Sequence, residues 1–176
     1  MKYFQKIIGE NLFLSPISIE DAEQYTKWLN DPAVAIPLGH YKNMMSLSNE
    51  KKALEGLTTE GHNYAIILKD AERLIGNIGF FDINHISRRA TIGLFIGEAE
   101  MRGKGYGTEA IRLLLKFGFD TLNLHNIMLQ CDSDNKQGIA CYKKVGFQEF
   151  GRRRSSTFKN GCYLDTVHMD ILSTEF

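Results

Sequence analysis

Short stretches of dense apolar residues alternate with stretches of helical period along the chain, and this alternation predicts the order β-α-α-β-β-β-α-β-α-β-β. A first strand covers 11–17 and is ended by Ser15-Pro16. Ser18 then stands at an N-cap position with Glu20 and Asp21 in the first turn. The helix it opens carries Ala22, Tyr25 and Leu29 on one face and stops at Asn30-Asp31-Pro32. Residues 33–45 read as irregular, and a second helix spans about 48–57. Strands follow at 64–68, 74–82 and 90–96, the first two joined at Asp70-Ala71-Glu72. A well-marked helix then repeats Ile111, Leu114, Leu115, Gly118, Phe119 and Leu122 at i, i+3, i+4. A strand at 127–131 precedes a short helix at 135–145, closed by Gly146 with Phe147 as its apolar contact. The last two strands, about 147–158 and 162–172, turn at Asn160-Gly161. The expected class is α/β (α+β): a mixed, mostly antiparallel central sheet flanked by about four helices.

Composition narrows this picture. A chain of 176 residues with 43% apolar and 24% charged side chains suits one globular domain over 1–176. The longest unbroken apolar run, 64–68, is far short of the roughly 18 residues of a membrane span, and the lysines and glutamate of the first ten residues leave no room for a secretory h-region. The expectation is a cytoplasmic protein with no membrane partner. Three scattered cysteines suggest neither a disulfide framework nor a zinc site, and no two of the five histidines are spaced as metal ligands on a helix, so no metal is expected. The net charge is zero but uneven: residues 102–154 hold ten basic against five acidic side chains. Such a segment suits an anionic ligand, although chance segregation on a solvated surface gives the same count. One basic run, Arg152-Arg153-Arg154, is a weak footprint for nucleic acid.

The strongest chemical signal is Arg102-Gly103-Lys104-Gly105-Tyr106-Gly107-Thr108, which runs directly into a helix. Glycines let the backbone turn tightly beside a bulky anion. The first N–H groups of the helix lack intrahelical acceptors and sit at the positive end of its dipole. Together they form a cradle for a diphosphate, with Arg102 and Lys104 adding charge. The spacing departs from both the dinucleotide fingerprint and the ATPase phosphate loop, and a plain turn fits the same residues. A second signal is Asn135 followed seven residues later by Tyr142, two helical turns along and ahead of Gly146-Phe147. Read alone, Asn135 caps its helix and Tyr142 is a half-buried aromatic.

Read together, Arg-x-x-Gly-x-Gly opening a helix and the later Asn-x-x-Gly-x-x-x-Tyr-x-Lys-x-Gly-Phe resemble the GNAT superfamily of acyl-CoA-dependent N-acetyltransferases. Gly138 stands where alanine or serine is more usual. The stretches Asn123-Leu124-His125-Asn126 and Asn160-Gly161-Cys162-Tyr163-Leu164-Asp165 resemble the branch of ribosomal-protein N-terminal and spermidine/spermine N-acetyltransferases. The resemblance implies the GNAT-like fold and direct acetyl transfer from acetyl-CoA to a primary amine: a protein N-terminus, a polyamine or another small amine. It further implies that Arg102, Gly103, Lys104, Gly105, Tyr106, Gly107 and Thr108 bind the coenzyme's pyrophosphate. Phe95 and Ile96 would lie at a strand splay that receives the pantetheine, and Asn135 would hydrogen-bond that arm. Lys143 or Lys144 would reach a phosphate, and Tyr142 would stand near the thioester sulfur as the catalytic residue.

The base is open. Relatives of this branch often carry glutamate where this chain has Thr91; Glu98, Asp82, His85 and a water chain are the candidates. The segment 30–61, with His40, Tyr41, Glu50, Glu55 and Glu60, would wall the acceptor site, or those glutamates form the solvated face of a helix. Two other function classes share these residues: an acetyl-CoA-binding sensor or scaffold without transferase activity, and a ribosome or nucleic-acid binder resting on Arg152 to Arg154. Relatives often pair through their C-terminal strands, which places any homodimer seam at 147–158 and 163–172.

Overall fold

The computed structural model describes residues 2–176, the Glu60 side chain excepted. Among them are eight strands and five α-helices in a mixed, mostly antiparallel α/β arrangement. The chain divides into two compact units. One holds the residues up to Phe80 together with Leu94–Leu114, the other Phe81–Gly93 and Leu115–Phe176.

In the first unit the strand order is β1 (Ile7–Ile8), β2 (Leu12–Pro16), β3 (Asn63–Leu68) and the start of β4 (Arg73–Asn84). β2 and β3 pair antiparallel from Leu12↔Leu68 to Pro16↔Tyr64. Every residue of β3 is buried, which is why its sequence after Asn63 reads as an unbroken apolar run rather than an alternation. Ser18 caps a single 3-10 turn, its Oγ accepting the Glu20 N–H at 3.3 Å, and this turn feeds α1 (Ala22–Asn30). Ala22, Tyr25 and Trp28 recur every third residue and are buried with Phe13, Leu54, Ala65 and Ile67 in one core. The segment expected to be irregular begins with a four-residue helix, α2 (Pro32–Ala35), capped by Asp31 Oδ1 on the Ala33 N–H. Pro32 is preset for a helix start, but four residues give no periodicity to read. α3 (Leu47–Glu60) starts on Ser46 and ends on left-handed Gly61.

In the second unit, β5 (Arg89–Ile96) contributes its first residues to the order β5, β6 (Asn126–Asp132), β8 (Cys162–Leu172) and β7 (Gln148–Lys159). β5 and β6 are parallel from Arg89↔Asn126 to Thr91↔Met128, and β5 runs on to Ile96 after that ladder stops. The β7–β8 hairpin turns at Asn160 (φ 52°) and Gly161 (φ 80°), two left-handed residues in the order an Asn-Gly hairpin requires. α4 (Tyr106–Asp120) follows the glycine turn, and α5 (Lys136–Val145) lies between β6 and β7. No described helix is long and apolar enough to cross a membrane.

α3 turns one acid inward. Glu50 is only 3% exposed and its Oε2 has no hydrogen-bond partner, so burial holds its carboxyl above the usual carboxylate range. A raised pKa means that Glu50 favours the fold while it carries its proton and loses that contribution as pH rises through the raised value. Glu50→Gln is therefore expected to gain melting temperature over the wild type as pH rises from the ordinary carboxylate range toward neutrality. A difference in melting temperature that stays flat across that range would refute the assignment.

Candidate active site

The glycine turn is built in the first unit by a charged side chain acting on backbone. After β5 a single 3-10 turn (Ala99–Met101) closes with Arg102 N–H donating to the Ala99 carbonyl at 3.2 Å. The Arg102 guanidinium then doubles back: Nε donates to the Ile96 carbonyl (2.9 Å), Nη2 to Gly97 (3.1 Å) and Nη1 to Ala33 (3.2 Å). The charge expected beside an anion is thus engaged with three carbonyls, where it fastens the strand end and α2 to the turn. Gly103 (φ 73°) and Gly105 (φ 91°) are left-handed, as glycine allows without strain. A Cβ at Gly105 would meet nothing within 4 Å, and one at Gly107 only Leu94 Cδ1 at 3.7 Å, so the turn presents bare backbone. Glu109 N–H donates to the Gly105 carbonyl at 3.0 Å, and the amides of Gly103 to Gly107 precede this bond at the positive end of α4. Lys104 is exposed beside them. Glu109 also accepts the Asn11 N–H (2.8 Å), the Asn11 Nδ2 (3.0 Å) and the Leu12 N–H (3.3 Å), which anchors the helix start to β2.

The end of β5 is packed from below. Phe95 meets Trp28 and Tyr25 edge-on, with centroids 5.9 and 6.2 Å apart. A Cβ on Gly97 would overlap the Trp28 indole, and one on Gly76 the Phe95 carbonyl oxygen. Glu98 fixes this arrangement. Its Oε1 accepts Trp28 Nε1 (3.0 Å) and Gln24 Nε2 (3.1 Å), and its Oε2 accepts Arg73 Nη2 (2.5 Å). Both oxygens already have donors, which gives Glu98 a structural part. Asp82 and His85 are exposed, and Thr91 is half-buried.

In the second unit, Asn135 caps α5: its Oδ1 accepts the Gly138 N–H at 2.9 Å. A Cβ at Gly138 would lie 2.6–2.9 Å from the Asn135 carboxamide, which would have to shift to admit it. Tyr142 lies two turns along the same helix, 9% exposed, against Phe147. Burial first, then the neighbouring Cys131 and Cys141, push its phenol well above its ordinary value, so it stays protonated at neutral pH. Burial likewise pushes the Cys131 thiol up to about 11, which keeps that group inert. α5 ends on Gly146 (φ 126°), whose N–H donates to the Tyr142 and Lys143 carbonyls.

The proposed acceptor wall is uneven. His40 and Glu55 are exposed, Tyr41 is half-buried, Glu50 faces inward, and the Glu60 side chain lies outside the described residues. In the basic run, Arg152 pairs with Glu149 at 2.5 Å, so one of its three charges is locally neutralised. Sequence reasoning misses Gly97 and Glu98 as supports of the strand end, because their partner Trp28 lies about 70 residues away, and misses Lys159, a buried cation.

Comparison with known proteins gives the site its context. A family model described as acetyltransferase (GNAT) domain matches residues 11–148. The chain is 29% identical to an uncharacterized N-acetyltransferase p20 of Bacillus licheniformis over 98% of both chains. It is 35% identical to spermidine N(1)-acetyltransferase of Escherichia coli over 57% of this chain and 54% of that enzyme. The structure of spermidine N-acetyltransferase from Vibrio cholerae in complex with CoA and spermine superposes with a TM-score of 0.83 at 25% identity, over 95% of this chain and 98% of that one.

The contact between Gly97 and the indole is rigid on both sides. Gly97→Ala is expected to destabilise the fold by about 1–3 kcal/mol in denaturant titration, as an overpacked core position does. A loss under about 0.5 kcal/mol would show that Trp28 yields freely.

Proposed function

The chain belongs to the GNAT acetyltransferase family and is an acetyl-CoA-dependent N-acetyltransferase, and we propose that its acceptor is a polyamine carrying a primary amine. The enzyme reading displaces the alternative of a coenzyme sensor without activity. The support for a polyamine is the likeness to the two spermidine enzymes, one of them bound to spermine. The work would take place in the cytoplasm, and a homodimer seam would lie along β7 and β8, where β7 is largely exposed.

The observation that carries the coenzyme's placement is the bare, left-handed backbone of Gly103 and Gly105 ahead of α4. A side chain at Gly105 would fill space that this reading gives to phosphate. The amides from Gly103 to Thr108 would hold the diphosphate, Lys104 would add the charge that Arg102 does not, and Tyr106 would flank them. Phe95, Ile96 and Asn135 would bind the pantetheine arm. Acetyl-CoA supplies an acetyl thioester open to attack by an uncharged amine, with a thiolate as the leaving group.

Two demands then fall on the protein. An amine of pKa about 10.4 is only about one part in 10³ uncharged at pH 7, which corresponds to about 4–5 kcal/mol of barrier. Glu98, already held by Trp28, Gln24 and Arg73, does not meet this demand, so removal of the proton would fall to Asp82, His85 or a water chain. The second demand is a proton for the departing sulfur. Tyr142 would meet it by donating a hydrogen bond to that sulfur, because burial keeps its proton in place; outright transfer from so raised a phenol to a thiolate runs uphill. A thiol of pKa about 8.5 leaves tolerably unaided, so the help is limited.

The test is mass-spectrometric screening of polyamines, peptide N-termini and amino-sugars for acetyl addition. Spermidine or spermine is expected to give the highest kcat/KM, and preference for a peptide N-terminus would overturn the polyamine reading. Tyr142→Phe is expected to lower kcat about 10–100-fold while coenzyme Kd stays within about twofold. A loss of affinity without a loss of kcat would remove Tyr142 from the chemistry.

A further inference from the structure

Lys159 is a lysine with only 5% of its side chain exposed, at the end of β7. Its Nζ donates to Asp132 Oδ2 (3.0 Å), at the end of β6, and to Asp134 Oδ1 (3.0 Å), in the loop that leads from there to α5. Asp132 is also largely buried, and Asp134 is 48% exposed. Burial alone would lower the lysine's pKa, but the two aspartates outweigh it and hold the ammonium charged. A buried ammonium is tolerated only when paired and hydrogen-bonded, so the geometry of this loop is tied to the hairpin that carries Lys159.

The loop's own bonds lead from these carboxylates to α5. Ser133 N–H donates to the Asp165 carbonyl at 2.9 Å, Asn135 N–H to the Asp132 carbonyl at 3.0 Å and Lys136 N–H to the Asp134 carbonyl at 2.8 Å. Asn135 then caps α5 through Gly138. The residues whose side chains the ammonium grips are thus the residues whose carbonyls fix Asn135 and the first residue of the helix.

We propose that Lys159 is a positioning residue for the coenzyme: through Asp132 and Asp134 it sets the orientation of Asn135 at the start of α5. The proposal rests on the reading that Asn135 meets the pantetheine arm. Lys159 itself touches no substrate. Its removal acts on coenzyme binding rather than on the acceptor, whereas a merely stabilising ion pair would lower melting temperature and leave the Michaelis constants alone.

The experiment uses the full chain and acetyl-CoA with the best acceptor from the amine screen. Lys159→Met is expected to raise the acetyl-CoA Kd, by calorimetry, and its KM about tenfold, with the acceptor KM within about twofold; Lys159→Arg, which keeps the charge, is expected to recover most of the loss. In an Asn135→Ala background the same substitution is expected to add less than twofold, because the path through Asn135 is already cut. An unchanged coenzyme Kd in a folded Lys159→Met protein, or a full tenfold effect in the Asn135→Ala background, overturns the proposal. Should Lys159→Met fail to fold, Asp134→Asn keeps the Asp132 pair and is expected to weaken coenzyme binding about threefold; no weakening refutes the role. If wild-type protein binds acetyl-CoA but Asn135→Ala leaves Kd unchanged, the underlying reading of Asn135 fails, and the role given to Lys159 falls with it.

Discussion

The candidate site depends on the Arg102 guanidinium, which holds the backbone that carries the glycine turn. It gathers the carbonyls of Ile96 and Gly97 at the end of β5 and of Ala33 in α2. Its planar fork of five donors can serve three acceptors at once, which a lysine ammonium on a flexible stem cannot do in a fixed geometry. The amides of Gly103 to Gly107 are left with the helix dipole behind them. The arginine would help an anion without touching it.

Glycine does two different jobs near this turn. At 103 and 105 it supplies a left-handed backbone, and the space beside Gly105 is open, so conformation is the constraint. At 76 and 97 the backbone is ordinary, and the constraint is proximity, with a carbonyl oxygen or an indole where a Cβ would stand. At Gly138 the neighbour is the Asn135 carboxamide, a side chain that can shift, so the close approach there is a milder constraint than at 76 or 97.

Features set within a few residues are legible in the amino-acid order itself. The Ser18 and Asn135 caps, the Gly146 stop and the Asn160-Gly161 turn are local arrangements, and each is found where its residues predict. The longer strands and helices follow from periodicity. α2 and β1 escape because four and two residues hold too little of either pattern to read. The supports of the site escape for another reason. Arg102 reaches Ala33, Glu98 reaches Trp28 and Lys159 reaches Asp132 across 69, 70 and 27 residues, and nothing local to either partner marks the pairing.

The same distinction bears on charge. Ten basic residues between 102 and 154 suggest an anionic ligand from their number alone. Arg102 is bound to carbonyls and Arg152 to Glu149, so each already serves the fold, and the cation at Lys159, just beyond that segment, is buried between aspartates. Counting charges therefore overstates what a ligand meets. What would attract a diphosphate here is the amides of a helix start with Lys104 beside them, while Arg102 acts by holding the backbone that leads into them. A cation counted toward an anion site can thus stand behind it rather than in it.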